Sequence, residues 1–161
     1  MATEIEFKGD DIVRIAAAQK GLRRASLLVL IANALLWTLL LTPLSERLGI
    51  KFTWIIFVAV VPLFIAQALI AGSCAFLSAR SLKIEEVMAW LAAVLAGLLT
   101  WPPLFFMSLL VMWWLLAEGT KILRKAGLKA GLTGVSEQDL DSWQAANKEF
   151  SMSFSSTRYK R

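Results

Sequence analysis

The stretch from Glu85 to Lys129, interrupted at its middle by Pro102-Pro103, constrains this chain more than any other. Val87 to Trp101 is apolar, and Leu104 to Ala117 is apolar again. As one helix the stretch would run roughly 45 Å at 1.5 Å per residue, against a hydrocarbon core of ~30 Å. As two helices of about 17 residues, each just crosses. Proline is favoured in the first turn of a helix and disfavours helix in the residue before it. Thr100-Trp101-Pro102-Pro103 therefore predicts a stop followed by a start. A continuous helix gives three spans; a turn gives four, with both ends on one side.

Lipid is the solvent that the composition calls for. The 161 residues are 58% hydrophobic, with a mean hydropathy of +0.64. A soluble domain of this size has too little interior to hide that much apolar surface. Ala25 to Thr42 forms the first uncharged run, and about 18 residues suffice to cross. Pro43 and Ser45-Glu46-Arg47 break it. Phe52 to Leu77 is the second run, long enough to tilt, with a kink expected at Pro62. Ser78 to Glu86 reads as a loop.

Loop charges give an independent test of the proline turn. Lys+Arg number 17 against 12 Asp+Glu, and in a membrane protein that excess gathers in cytoplasmic loops, so nucleic acid is not the expected partner. With a turn at the prolines, Lys8, Arg14, Lys20, Arg23 and Arg24 share one side with Arg80, Lys83, Lys121, Arg124, Lys125 and Lys129. Only Arg47 and Lys51 fall on the other. Trp37, Trp54 and Trp101 then lie toward the outer boundary, and Trp90, Trp113 and Trp114 toward the inner one. The expected fold is an all-α integral membrane protein, its four transmembrane helices arranged as two hairpins, N-in/C-in.

The expected layout is a cytoplasmic amphipathic lead-in over 1–24 and a four-helix membrane domain over 25–120. Its spans are about 25–42, 52–77, 85–101 and 103–119. A basic cytoplasmic tail over 121–161 follows. In the lead-in, Asp10 and Asp11 can cap a helix, and Ile12, Ile15, Ala16, Gln19 and Leu22 form a modest apolar stripe. That helix either lies on anionic headgroups or runs straight into the first span. The first residues are acidic and polar, so no cleavable signal is expected. In the tail, Ser136-Glu137-Gln138-Asp139 has capping-box spacing and opens a short helix of about 137–150, faced by Leu140, Trp143 and Phe150. Ser151 to Arg161 reads as a flexible basic end.

Residues 103–134 carry a resemblance. Pro103-Leu104 opens a Leu-rich helix that leaves through Gly119-Thr120 and Leu123-Arg124 into Gly127-x-x-x-Gly131-Leu132-x-Gly134. This resembles the end of a group of small bacterial membrane proteins, and Ala17-Ala18-Gln19-Lys20-Gly21-Leu22 is similar to their lead-in, with Asn33 in the first span. Gly119 departs from the pattern, since alanine is usual there. The resemblance implies a four-helix, N-in/C-in protein of the bacterial inner membrane. It implies nothing about mechanism.

Four groups of residues are candidates for function. Ala89, Ala93 and Gly97 recur every four residues on the third span, and Ala68 with Gly72 repeats the pattern on the second. Small residues on one face let helix backbones approach, either within the chain or against a partner. Asn33 and Gln67 place amides at mid-membrane, to line a path or to tie the first two spans together. Glu85, Glu86 and Glu118 sit at the inner boundary, to bind a cation or to be neutralised by Lys83, Lys121 and Arg124. Cys74, the only cysteine, lies among small residues and reads as packing. With no histidine and no nucleophile beside a base, the expectation is a chain without catalytic, metal or cofactor residues. Its expected role is a non-enzymatic small subunit or scaffold packing against another membrane protein or itself, its basic ends on anionic headgroups. The alternative is a small homo-oligomeric channel or transporter.

Overall fold

Asp10 and Asp11 stand in the first turn of α1, where carboxylates oppose the positive end of the helix dipole. From there α1 runs without a break over Gly9–Leu41, carrying the polar lead-in directly into the apolar segment. The computed structural model describes residues 4–41, 49–101, 104–131, 134–147 and 151–155. Within them follow α2 (Gly49–Ser81), α3 (Glu86–Leu98), α4 (Phe105–Lys125) and α5 (Glu137–Ala146). Pro102 and Pro103 themselves, the break at residues 43–47, Phe150 and the Arg158-Tyr159-Lys160-Arg161 end lie outside the described residues.

Among the described residues three helices are long and apolar enough to cross a membrane: α1, α2 and α4. The fourth apolar helix, α3, has 13 residues and rises only ~20 Å. It is shorter than the expected 85–101 because Thr100 ends it: the Thr100 Oγ1 hydroxyl donates to the Gly97 carbonyl at 2.7 Å, and the Thr100 N–H donates to the same oxygen at 3.2 Å. The neighbouring helices are longer than expected. α2 continues through Arg80 to Ser81, leaving a tight link at Leu82–Glu85 in which Lys83 takes a positive φ of 55°. α4 runs past Gly119 to Lys125, its last turn carrying Arg124 and Lys125 where cations suit a helix C-terminus.

The helices pack as a four-cornered bundle. α1 lies against α2 and α4, and α3 lies against the same two, so α1 and α3 occupy opposite corners. Neighbours run antiparallel. The Gln67 side chain of α2 reaches the Val29 carbonyl of α1 at 3.2 Å. A Cβ on Gly21 would stand 3.8 Å from the Cys74 sulfur, so the pairing descends in step. The Ser108 hydroxyl of α4 donates to the Ala96 carbonyl of α3 at 2.6 Å, which makes α3 and α4 a hairpin.

Two elements had no counterpart in the sequence patterning. Glu4–Lys8 (β1) and Ser151–Ser155 (β2) form an antiparallel pair, with Phe7 opposite Met152. This corrects the expected flexible end over residues 151–155. Ser-Met-Ser-Phe-Ser alternates polar and apolar, the period of a strand, but only a remote partner makes that pattern a ribbon. Phe7 is fully buried beneath it, beside Ile12 and Ile15 in the same core cluster.

Candidate functional site

The small residues of α2 and α3 meet one another. Ala89, Ala92, Ala93, Ala96 and Gly97 are buried on one face of α3. A Cβ added to Gly97 would stand 2.9 Å from the Ala68 carbonyl oxygen, and one added to Gly72 would stand 3.0 Å from the Ala93 carbonyl oxygen. Backbone is therefore in contact with backbone, a closeness that only glycine permits. Ala68, Gly72, Ala89, Ala93 and Gly97 are occupied inside the chain. The outward face of α3 instead carries large apolar side chains, with Val87 and Leu98 each 72% exposed and Trp90 56%.

Asn33 and Gln67 come together, though not with each other. Both amides converge on one backbone oxygen: Asn33 Nδ2 donates to the Val29 carbonyl at 2.9 Å and Gln67 Nε2 donates to it at 3.2 Å. Asn33 Nδ2 also lies 3.4 Å from the Thr100 carbonyl, at the end of α3. Asn33 Oδ1 is buried with no hydrogen-bond partner, the one such side-chain atom among the described residues.

A third buried amide belongs to the same interior. Gln19 is 1% exposed, and its Nε2 donates to the Leu116 carbonyl at 2.9 Å and to Thr120 Oγ1 at 3.2 Å, tying α1 to α4. Its Oε1 accepts from the Arg23 guanidinium at 3.4 Å. Gly119 makes room for this side chain, since a Cβ there would collide with the Gln19 amide. In the sequence Gln19 reads only as a member of an amphipathic stripe. The available signal was its place between Ala16 and Leu22 on the apolar face, where an amide needs a partner.

The three glutamates are not brought into one cluster. Glu85 is exposed. Glu86, also exposed, pairs with Arg80 at 3.5 Å. Glu118 is 8% exposed and pairs with Lys121 at 3.0 Å, one turn along α4. Among the described residues no three acidic, cysteine or histidine side chains gather closely enough to hold a metal ion.

These pairs belong to a charged end shared by the start of α1, the α2–α3 link and the exit of α4. Lys83 Nζ donates to Asp11 Oδ2 at 2.7 Å and to the Glu6 carbonyl at 2.6 Å, and it sits 5.0 Å from the centre of the Phe7 ring. One lysine thus clamps the N-terminal strand to the link. Lys20 reaches from α1 to Glu137 at the start of α5. Lys20, ahead of Arg24, holds the Glu137 carboxyl below its ordinary range. α5 is capped by Ser136 Oγ, which accepts from the Asp139 N–H at 3.1 Å, and is docked by Trp143, whose Nε1 donates to the Ala126 carbonyl at 2.8 Å. The arrangement is a latched polar cap over one end of an apolar bundle.

No protein-family model, no curated protein and no solved structure matches this chain. The helices, their lengths and their apolar surfaces mark a membrane protein.

Proposed function

We propose that this chain is a non-enzymatic membrane scaffold or small subunit that packs against another membrane protein, with its two hairpins entering the bilayer from one side. Both termini would lie on that side, the cytoplasmic face of a bacterial inner membrane. One observation carries the reading: the buried side-chain donors of the bundle are spent on the chain's own backbone. Gln19, Asn33, Gln67 and Ser108 all donate to carbonyls of neighbouring turns or helices. A path for a polar solute would need such groups facing a hydrated channel, and it is commonly marked by charge. Here the small-residue faces are closed on one another, so a partner would meet the large apolar side chains that all four helices expose, the outer face of α3 among them. Sidedness is supported by the gathering of basic side chains at the latched end.

The test is a photo-crosslinking residue at Val94, which is 47% exposed on that outer face. In native membranes, a stoichiometric adduct with one second membrane protein is expected. Adducts with lipid alone, or with further copies of this chain, would refute the hetero-subunit reading. A homo-oligomeric channel is the second reading, and the unpartnered Asn33 Oδ1 favours it, because a buried amide oxygen can accept from a passing water. In proteoliposomes, flux abolished by Asn33→Leu with Gln67→Leu would support that alternative.

A further inference from the structure

We propose that the α3–α4 hairpin is re-entrant: it dips into the bilayer and turns back near mid-depth, while α1 and α2 cross it and meet the acyl chains of the far leaflet above the turn. The proposal rests on the one-sided entry of both hairpins given above and concerns how far the second one goes.

Heights along the bundle give the first argument. Trp90 stacks on Phe76 with ring centres 4.6 Å apart, and Arg80 lies over the same Phe76 ring at 5.9 Å. An exposed tryptophan beside an arginine marks a membrane boundary. From Trp90 to Trp101, at the end of α3, the chain climbs only ~16 Å, about half of a ~30 Å core. Over the same starting height α2 rises much further, since Phe76 to Trp54 covers ~33 Å of continuous helix. On α1, Asn33 is level with Thr100 through their 3.4 Å contact, and α1 continues to Leu41, a further ~12 Å. The part that overhangs the turn is apolar, and its outer residues Trp37 and Val58 are 40% and 70% exposed. Placing the turn at the far surface would push this overhang into water. Acyl chains are the partner its chemistry fits.

The second argument is independent and lies in the backbone. A helix ending in hydrocarbon leaves carbonyls that no water can satisfy, so such an end survives only where protein groups serve it. The last turn of α3 is served in that way. Ala96 O accepts from Ser108 at 2.6 Å, Gly97 O from Thr100 Oγ1 at 2.7 Å, and Thr100 O faces Asn33 Nδ2. Thr100 and Ser108 are buried, at 2% and 0% exposure. Asn33 is thereby assigned a positioning role, holding the tip of the hairpin against α1.

Depth measurement by spin labelling tests this. In a Cys74→Ser background, nitroxides are attached singly at Leu98→Cys and Leu104→Cys, both exposed positions flanking the turn, and at Trp37→Cys and Glu46→Cys. After reconstitution, the labels at 98 and 104 should collide with oxygen far more than with a water-soluble nickel chelate, and should report a greater depth than the label at 37. Chelate accessibility at 98 and 104 equal to that at 46 would place the turn at the far surface and overturn the proposal. One-sided entry is read separately: if an impermeant maleimide added outside intact cells reaches only one of Lys8→Cys and Lys129→Cys, that reading fails whatever the depth of the turn.

Discussion

Gly97→Ala puts a methyl group at the tightest backbone contact between α2 and α3. The new Cβ would stand 2.9 Å from the Ala68 carbonyl oxygen and 3.7 Å from the Gly72 Cα. Ordinary contact to that oxygen needs roughly half an ångström more, and both atoms belong to helix backbone, so no side chain can swing away. The helices must separate. Overpacking of this kind costs about 1–3 kcal/mol, offset in part by the ~1 kcal/mol by which alanine outranks glycine in a helix. The expected net loss is therefore up to about 2 kcal/mol, and a larger side chain at the same site exceeds it. Gly72→Ala should behave alike, since its Cβ would meet the Ala93 carbonyl at 3.0 Å. Because each glycine faces the other, one separation relieves both clashes, and the double variant should lose less than the sum. Reversible unfolding in mixed micelles, followed by helix content against denaturing-detergent fraction, reads the difference. Leu98→Ala, on the exposed outer face of α3, is the control and should change little. Strict additivity of the two alanine variants, or stabilisation by either, would refute backbone contact as the basis of this interface.

Other consequences follow from the same geometry. Gly119→Ala puts a methyl against Gln19 at a cost of about 1–3 kcal/mol, offset by ~1 kcal/mol of helix propensity, so a net loss of up to about 2 kcal/mol is expected, and it should vanish in a Gln19→Ala background, measured as a double-mutant cycle. Asn33→Leu gives up hydrogen bonds worth about 0.6 kcal/mol each in a membrane, but it also removes the orphan Oδ1, so unfolding should shift by less than ~1.5 kcal/mol. Lys83→Met removes the Asp11 pair and the bond to Glu6 O, and hydrogen exchange should show β1 and β2 amides losing protection while those of α2 and α4 keep theirs. Glu137 has its carboxyl pKa depressed by Lys20, so its contribution is present above the ordinary carboxylate value and is lost as pH falls through the depressed one. Acidification through that depressed value should loosen α5 amides, and Lys20→Met should loosen them already at neutral pH.

Much of the architecture was legible in the residues because membrane helices answer to length and polarity. Uncharged runs, prolines and basic loops marked where α1, α2 and α4 lie, and the stop at Thr100-Trp101 ended α3. The small residues of α2 and α3 showed in the sequence as a periodic face. Gln19 was hidden because its partners, Leu116 and Thr120, lie a hundred positions away on a helix whose rotation no local pattern sets. The β1–β2 ribbon was hidden for the same reason: each strand is too short to declare itself, and pairing residue 4 with residue 155 is a fact about two segments remote in sequence meeting in space.

What the sequence by itself determined is the solvent, through apolar runs that only lipid can accommodate, together with the positions of its breaks. What only the tertiary structure decided is which polar group meets which. Asn33 could have faced a partner, a pore or another helix. Packing turned it toward the Val29 and Thr100 carbonyls, because in a medium without water a buried amide goes where a backbone oxygen is left over.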